Sequence, residues 1–218
     1  MLKISQTLDG SNTLTDENLK ETYHSTNGAV QESMHVYIQQ GLLAYKSSKA
    51  SINVFEMGFG TGLNTLLSII NQPKNVNVSY LSAEAFPVEM EILKQLNYGT
   101  LAFDKELYST IIECPFGVWK NLTKGFLLKK QKANFLTETF PSHFFDIIYY
   151  DAFGPKIQPE LWTREAMEKC FEMLVKGGIL ITYCAQGQFK RNLKAAGFII
   201  EELPGPPGKA QITRAIKI

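Results

Sequence analysis

The sequence predicts an α/β fold: a doubly wound, mostly parallel sheet of seven strands that ends in a C-terminal antiparallel hairpin. Three observations carry this. From about residue 51, apolar runs of strand length alternate with longer segments of helical character. The run FDIIYYD (145–151) is apolar almost throughout, as a strand covered on both faces must be. The first run leads into a glycine-spaced turn, FEMGFGTGLN (55–64), at the carboxyl end of a strand, where open parallel sheets bind ligands.

Taken in order, INVFEM (52–57) reads as the first strand and LNTLLSII (63–70) as the first helix. VNVSYLSAE (76–84) is rich in β-branched and aromatic residues and forms the second strand, followed by a helix entered at Pro87. GFLLKKQKA (125–133) is the third strand and FDIIYYD the fourth. PELWTREAMEKCFEMLV (159–175) is an amphipathic helix stopped by Lys176-Gly177-Gly178, and GILITYC (178–184) is the fifth strand. QFKRNLKAA precedes Gly197, and FIIEEL and AQITRAIKI close the sheet around the turn PGPPG.

At 218 residues the chain has the length of one complete α/β domain, so residues 1–218 are expected to form a single unit. Two segments stand outside the alternation. Residues 1–50 are an N-terminal extension with one helix, VQESMHVYIQQGLLAY; residues 96–124 are an aromatic-rich insertion between the second helix and third strand, without a clear period.

Hydrophobic residues make up 44% of the chain and charged residues 20%, which excludes disorder. The net charge of +1 confines any nucleic-acid surface to a local patch. Three scattered cysteines, Cys114, Cys170 and Cys184, fit a reducing compartment and exclude a zinc site built mainly on cysteine. Neither a signal peptide nor a membrane span is visible, and the expected location is cytoplasmic.

The glycine turn narrows the chemistry. Gly58, Gly60 and Gly62 let the backbone bend tightly and approach a ligand, but the dinucleotide fingerprint G-x-G-x-x-G requires a glycine where Leu63 stands. The arrangement E-x-G-x-G-x-G, with Glu56 two residues ahead of the first glycine, is similar instead to turns that bind S-adenosyl-L-methionine (SAM). In such turns the carboxylate orders the loop or meets the ligand's ammonium through water. Glu84 ends the second strand, where a carboxylate meets ribose hydroxyls in nucleoside-binding folds of this type. Asp151 ends the fourth strand on the same crevice, and Pro155 and Pro159 keep the following loop extended.

Four segments in this order, FEMGFGTGLN, SYLSAEAFP, YYDAFGPKIQPELWT and YCAQGQFKRNLKAAGF, with QESMHVY upstream, resemble the methyltransferase domain of the MnmC-type tRNA (5-methylaminomethyl-2-thiouridine) methyltransferases. The resemblance covers most of residues 20–218, and the Asp-x-Phe-x-Pro loop with its Pro-x-x-Trp is its most specific part. It implies a Rossmann-like class I SAM-dependent methyltransferase fold and N-methylation of the aminomethyl group on a wobble uridine of tRNA. Relatives often carry a fused flavin domain, for which this chain has no room, so a stand-alone methyltransferase is expected. Methyl transfer to an amine needs the amine neutral and aligned, so Asp151 is expected to hydrogen-bond the amino group, orient its lone pair and help remove a proton, with Phe153 and Tyr183 shaping the uridine pocket. Glu56, Gly58, Gly60, Gly62 and Glu84 would hold the cofactor, and no metal is called for.

Two departures from the family pattern stand out. Asn134 takes the place of the acidic residue that meets the adenine amine in many SAM-binding domains. The family's basic C-terminal turn is thinned to GPPGKAQITR, leaving Lys209 and Arg214 to join Lys156, Lys190, Arg191 and Lys194 as candidate phosphate contacts. Glu32 and His35 of the upstream helix could roof the cofactor. The alternatives are a spermidine-synthase-like aminopropyltransferase, a small-amine methyltransferase, a catalytically silent SAM- or RNA-binding module, and a dehydrogenase opposed by the glycine spacing.

Overall fold

A computed structural model describes residues 1–101 and 104–218; residues 102–103 of the 96–124 segment lie outside the described residues. The chain opens with strands β1 (Leu2–Gln6), β2 (Asn12–Asp16) and β3 (Glu21–Thr22), an antiparallel meander that the sequence does not announce. Helix α1 (Ala29–Ser33) runs on as a π-helix over Met34–Leu42, within the segment expected to be helical.

The main sheet follows. Its strands are β4 (Ser51–Met57), β5 (Asn77–Glu84), β6 (Lys120–Thr123), β7 (Phe126–Lys132), β8 (Phe145–Tyr150), β9 (Leu174–Thr182), β10 (Ile199–Pro204) and β11 (Gln211–Ile216). Their order across the sheet is β10-β11-β9-β8-β4-β5-β7-β6. The pairs β4–β5, β4–β8, β5–β7 and β8–β9 are parallel, and β11 runs antiparallel between β9 and β10. All seven expected strands are present. The eighth is β6, a short antiparallel edge strand on β7, too polar (KNLT) to show a strand pattern. Strand order reverses between β4 and β8, so the crevice at their carboxyl ends is the place for a ligand.

Successive side chains of the central strands enter two cores. Val54, Tyr80, Leu128, Ile147, Tyr149 and Ile181 pack with α2 (Leu63–Ile70) and the π-helix; Phe55, Leu81, Ile148, Tyr150 and Leu180 face the other side of the sheet. Each fully buried side chain of this kind contributes about 1.5–3 kcal/mol. All six residues of β8 are buried, Asp146 among them; its carboxylate is satisfied by the Tyr45 hydroxyl, the Lys49 ammonium and the Asn53 N–H.

The helices differ from expectation in three places. The helix entered at Pro87 is a single turn, α3 (Met90–Leu93), followed by a second turn, α4 (Tyr98–Leu101). Between them Asn97 leaves helical duty, donating to the Gly10 carbonyl and accepting from the Asn12 N–H. Inside the 96–124 segment lies α5 (Lys105–Glu113), capped by Asp104 accepting from the Leu107 N–H. The helix expected over 159–175 is a 3₁₀ turn (Pro159–Trp162) and then α6 (Arg164–Met173), capped by Thr163. It ends before Gly177, because β9 already begins at Leu174 and carries Gly177 (φ 78°) in an irregularity of its pairing with β8. Helix α7 (Gly187–Ala195) packs beside α6.

Candidate active site

The glycine turn is built by backbone that only glycine adopts easily. Gly58, Gly60 and Gly62 have φ of 90°, 50° and 76°. A side chain on Gly58 would place its Cβ 2.9 Å from the Asp151 carbonyl oxygen, so glycine there lets the ends of β4 and β8 approach. Gly62 caps α2 from behind the turn, packed under the Phe59 ring. Phe59 is in turn held by the buried Lys130 ammonium, 4.8 Å from its centroid.

Glu84 completes the turn. One of its carboxylate oxygens accepts from the Gly60 N–H at 2.9 Å and the other from the Phe86 N–H at 2.8 Å, fixing the carboxylate at the cavity wall. Asn134 also lines the cavity, with its amide oxygen engaged by the Leu136 N–H at 2.9 Å, which leaves its NH₂ as the free group. Glu56 is elsewhere: it lies fully buried below the turn, accepting from Ser82 Oγ at 2.6 Å.

Asp151 faces the turn from β8. The Tyr37 hydroxyl donates to its Oδ1 at 2.5 Å and Asn64 Nδ2 to its Oδ2 at 2.7 Å. Burial pushes its carboxyl up to about 6, against the pull of those two hydrogen bonds. The loop beyond is pinned by the buried Trp162, whose indole N–H donates to the Phe153 carbonyl at 2.8 Å, while Gln158 accepts from the Phe153 N–H at 3.1 Å. This is the physical content of the Pro-x-x-Trp spacing: the tryptophan anchors the phenylalanine that follows the aspartate. The Tyr183 hydroxyl donates to the Ala152 carbonyl at 2.8 Å from the facing wall.

These groups surround a cavity of about 530 Å³, within the size range of small-molecule sites. Its fourth wall is one that sequence reasoning missed, the segment from Glu21 to Thr26. The Tyr23 ring meets Phe153 edge-on at 5.1 Å and covers Gly60. His24 Nε2 and Thr61 Oγ1 are 2.8 Å apart, and burial lowers the imidazole to about 4, so it is neutral at pH 7. Glu32 accepts from the Ser25 N–H at 2.8 Å and pairs with Lys209, whose ammonium sits 4.0 Å over the Tyr183 ring.

The remaining candidates lie off the cavity wall. Lys156 and Arg191 are exposed, Lys190 is paired with Glu202 at 2.9 Å, and Arg214 is paired with Glu201 at 2.6 Å. His35 bonds the Pro204 carbonyl at 2.8 Å. Among the described residues no cluster of His, Cys, Asp and Glu is arranged to hold a metal, and no helix is long and apolar enough to cross a membrane.

Charge decides which nucleotide-like ligand fits. The lining carries five carboxyl groups, Glu21, Glu32, Glu84, Asp151 and Glu160, against one ammonium, Lys209, itself paired with Glu32. A dinucleotide would bring a pyrophosphate into this field, whereas SAM brings a sulfonium and an ammonium. Residues 128–218 match a family described as S-adenosyl-L-methionine-dependent methyltransferase. Over 212 residues the chain is 29% identical to the tRNA 5-methylaminomethyl-2-thiouridine biosynthesis bifunctional protein MnmC of Campylobacter hominis, covering 93% of this chain and 31% of that protein. The corresponding protein of Aromatoleum aromaticum is 29% identical over 210 residues, covering 89% and 32%.

The chain is similar to the methyltransferase portion of the MnmC proteins along about nine-tenths of its length, and over residues 128–218 to the SAM-dependent methyltransferase family. It spans about a third of the length of these relatives. The crystal structure of MNMC2 from Aquifex aeolicus shares the fold of this chain, with a TM-score of 0.77 at 24% identity over 99% of this chain and 70% of that one.

Proposed function

We propose that this methyltransferase transfers the methyl group of SAM to the primary amine of the 5-aminomethyl group on the wobble uridine of tRNA. The observation that carries the reading is Asp151. Its carboxylate is held by two side chains at the wall of an acidic cavity, beside the glycine turn of a SAM-dependent fold. The names of the MnmC relatives support the substrate. All of 1–218 acts as one methyltransferase domain, in which the 1–50 extension contributes Tyr23, Glu32 and Tyr37 to the site. The protein works in the cytoplasm, where its tRNA is.

Backbone at Gly58 and Gly60, with Glu84, would hold the cofactor, which supplies a methyl group on a sulfonium. Phe86, Asn134 and Leu136 offer an apolar and amide surface for its adenine. The protein's own work is on the amine. Attack requires a free lone pair, and Asp151 accepts an N–H from the amino group, directs the lone pair inward and takes up the proton that the product ammonium must lose. Phe153 and Tyr23 present ring edges and faces for a pyrimidine that has left the tRNA stack. Lys156, Arg191 and Lys194 lie exposed on the β8 loop and α7 and contact phosphates; Lys190 and Arg214 contribute less because each is already paired.

The deciding experiment is transfer of labelled methyl from SAM to tRNA from cells lacking this protein, with nucleosides identified by mass. Label on an aminomethyluridine is the expected result. Label on another nucleoside, or only on small amines, overturns the assignment. A second prediction concerns Tyr37, whose hydrogen bond opposes the upward shift of Asp151. Tyr37→Phe should move the acid limb of the pH–rate profile up by about one pH unit, the worth of one hydrogen bond to a charged group, and so lower kcat at pH 7 about twofold and at pH 5 about tenfold. An unmoved limb would remove Tyr37 from the site.

A further inference from the structure

Beneath the glycine turn three buried polar atoms have no hydrogen-bond partner among the described residues: Glu56 Oε1, Asn64 Oδ1 and the Tyr80 hydroxyl. Asn64 and Tyr80 both adjoin the Glu56 carboxyl. The other oxygen of Glu56 is occupied, by Ser82 Oγ at 2.6 Å and Thr65 Oγ1 at 3.4 Å. Asn64 uses its NH₂ on Asp151 at 2.7 Å.

The donors do not suffice if Glu56 is ionised. A carboxylate and an amide oxygen only accept, so the Tyr80 hydroxyl could serve one of them and the other would stay bare in the core. One added proton closes the set. Ionised Glu56 and Asp151 would also flank the same Asn64 amide, two anions competing for one NH₂. Asp151 opens on the cavity, whereas Glu56 has no exposed surface, so Glu56 is the one to be neutral.

We propose that Glu56 is a neutral carboxylic acid and a positioning residue: its O–H donates to Asn64 Oδ1, which fixes that amide with its N–H on Asp151. Asp151 is then the single anion at the inner end of the cavity. This differs from a carboxylate that reaches the cofactor, because Glu56 acts through Asn64 on the base. Burial pushes the Glu56 carboxyl up to about 8, the Ser82 hydroxyl and the adjoining Asn64 and Tyr80 groups opposing and the Asp151 charge adding to the rise. The other titratable groups facing it are Tyr80 on β5 and Tyr149 on β8, both raised by burial and un-ionised throughout this range; α2 presents only Asn64 and Thr65.

Infrared absorption tests the protonation state without any substrate. With Glu56→Gln as reference, wild-type protein at pH 7 should show the carbonyl band of a neutral carboxylic acid, lost as pH rises through about 8; its absence at pH 7 overturns the proposal. The kinetic arm rests on the proposed methyl transfer and is read separately. Glu56→Leu should lower kcat by about tenfold with the KM for SAM unchanged, and Glu56→Gln, which puts an N–H where the O–H was, should restore most of that loss and abolish the fall in kcat above pH 8. A SAM affinity about tenfold weaker in Glu56→Gln is the mark of a direct charge contact and overturns the positioning role.

Discussion

Asp151→Asn is expected to lower kcat about 10²–10⁴-fold, the range associated with loss of a positioned general base, and to leave SAM binding nearly intact. The geometry explains both halves. Asp151 contributes an acceptor toward the reacting amine, while the contacts proposed for the cofactor come from Gly58, Gly60 and Glu84 on other strands. The asparagine also puts its own NH₂ or oxygen against Asn64 Nδ2, so one of two donors must turn away, and the lone-pair alignment that Asp151 provides is lost along with its charge. Measured single-turnover transfer to tRNA together with SAM affinity by calorimetry separates the effects. Full turnover in the variant would remove Asp151 from the chemistry.

The wild-type pH profile follows from the same carboxyl. Its pKa is raised, to about 6, so the anionic form that accepts a proton is present above that value and disappears as pH falls through it. At pH 7 about ten molecules in eleven carry the anion, and at pH 5 about one in eleven. Transfer should therefore show an acid limb near pH 6 that is absent from the residual activity of Asp151→Asn.

The parts of the fold visible in the sequence are those where burial dictates composition. FDIIYY can only be a strand covered on both faces, and it is β8; INVFEM and VNVSYLSAE likewise mark β4 and β5 beside it. The glycines were legible because backbone with positive φ at a strand end leaves few other residues possible. The N-terminal sheet was not, because LKISQ and NTLTD are short strands whose pairing depends on each other rather than on an apolar face.

The site was legible where one residue sits at a strand end, as Glu84 and Asp151 do, and obscure where chains from different parts of the molecule meet. Of the two upstream residues the sequence pointed to, Glu32 lines the cavity and His35 turns to the Pro204 carbonyl, while Tyr37, which the sequence did not single out, reaches Asp151. From Met34 onward that segment is a π-helix, with i→i+5 hydrogen bonds, so a 3.6-residue period would not place its side chains. Tyr23 and His24 were invisible for a different reason. Nothing in the polarity of KETYHST (20–26) distinguishes a surface loop from one laid across a cavity, and only the packing of Tyr23 on Gly60 and Phe153 shows it. The paired cations fail similarly: a lysine in the sequence does not announce that Glu202 stands 2.9 Å away.

Gly60→Val should weaken SAM binding about tenfold or more, by two routes that act on the same atoms. Gly60 has φ +50°, a left-handed conformation that costs a β-branched residue roughly 1–3 kcal/mol. Its new Cβ would lie 3.3 Å from Tyr23 Cδ1, and the further methyls of valine would need space that the ring occupies. The backbone can relieve both only by rotating, which withdraws the Gly60 N–H from Glu84 and frees the carboxylate that stands at the end of β5. The measurement is the rise in melting temperature on adding SAM, large for wild type and small for the variant, since stabilisation by a ligand follows its affinity. Gly117→Ala is the control: Gly117 has φ +87° with nothing within 4 Å of the added Cβ, in a loop away from the cavity. It bears the left-handed strain without touching the turn, so its melting temperature should fall while the SAM-induced rise stays at the wild-type value. Equal losses of SAM response in both variants would mean that general destabilisation, and not the turn, sets the affinity; an undiminished response in Gly60→Val would mean that the cofactor does not rest on this backbone.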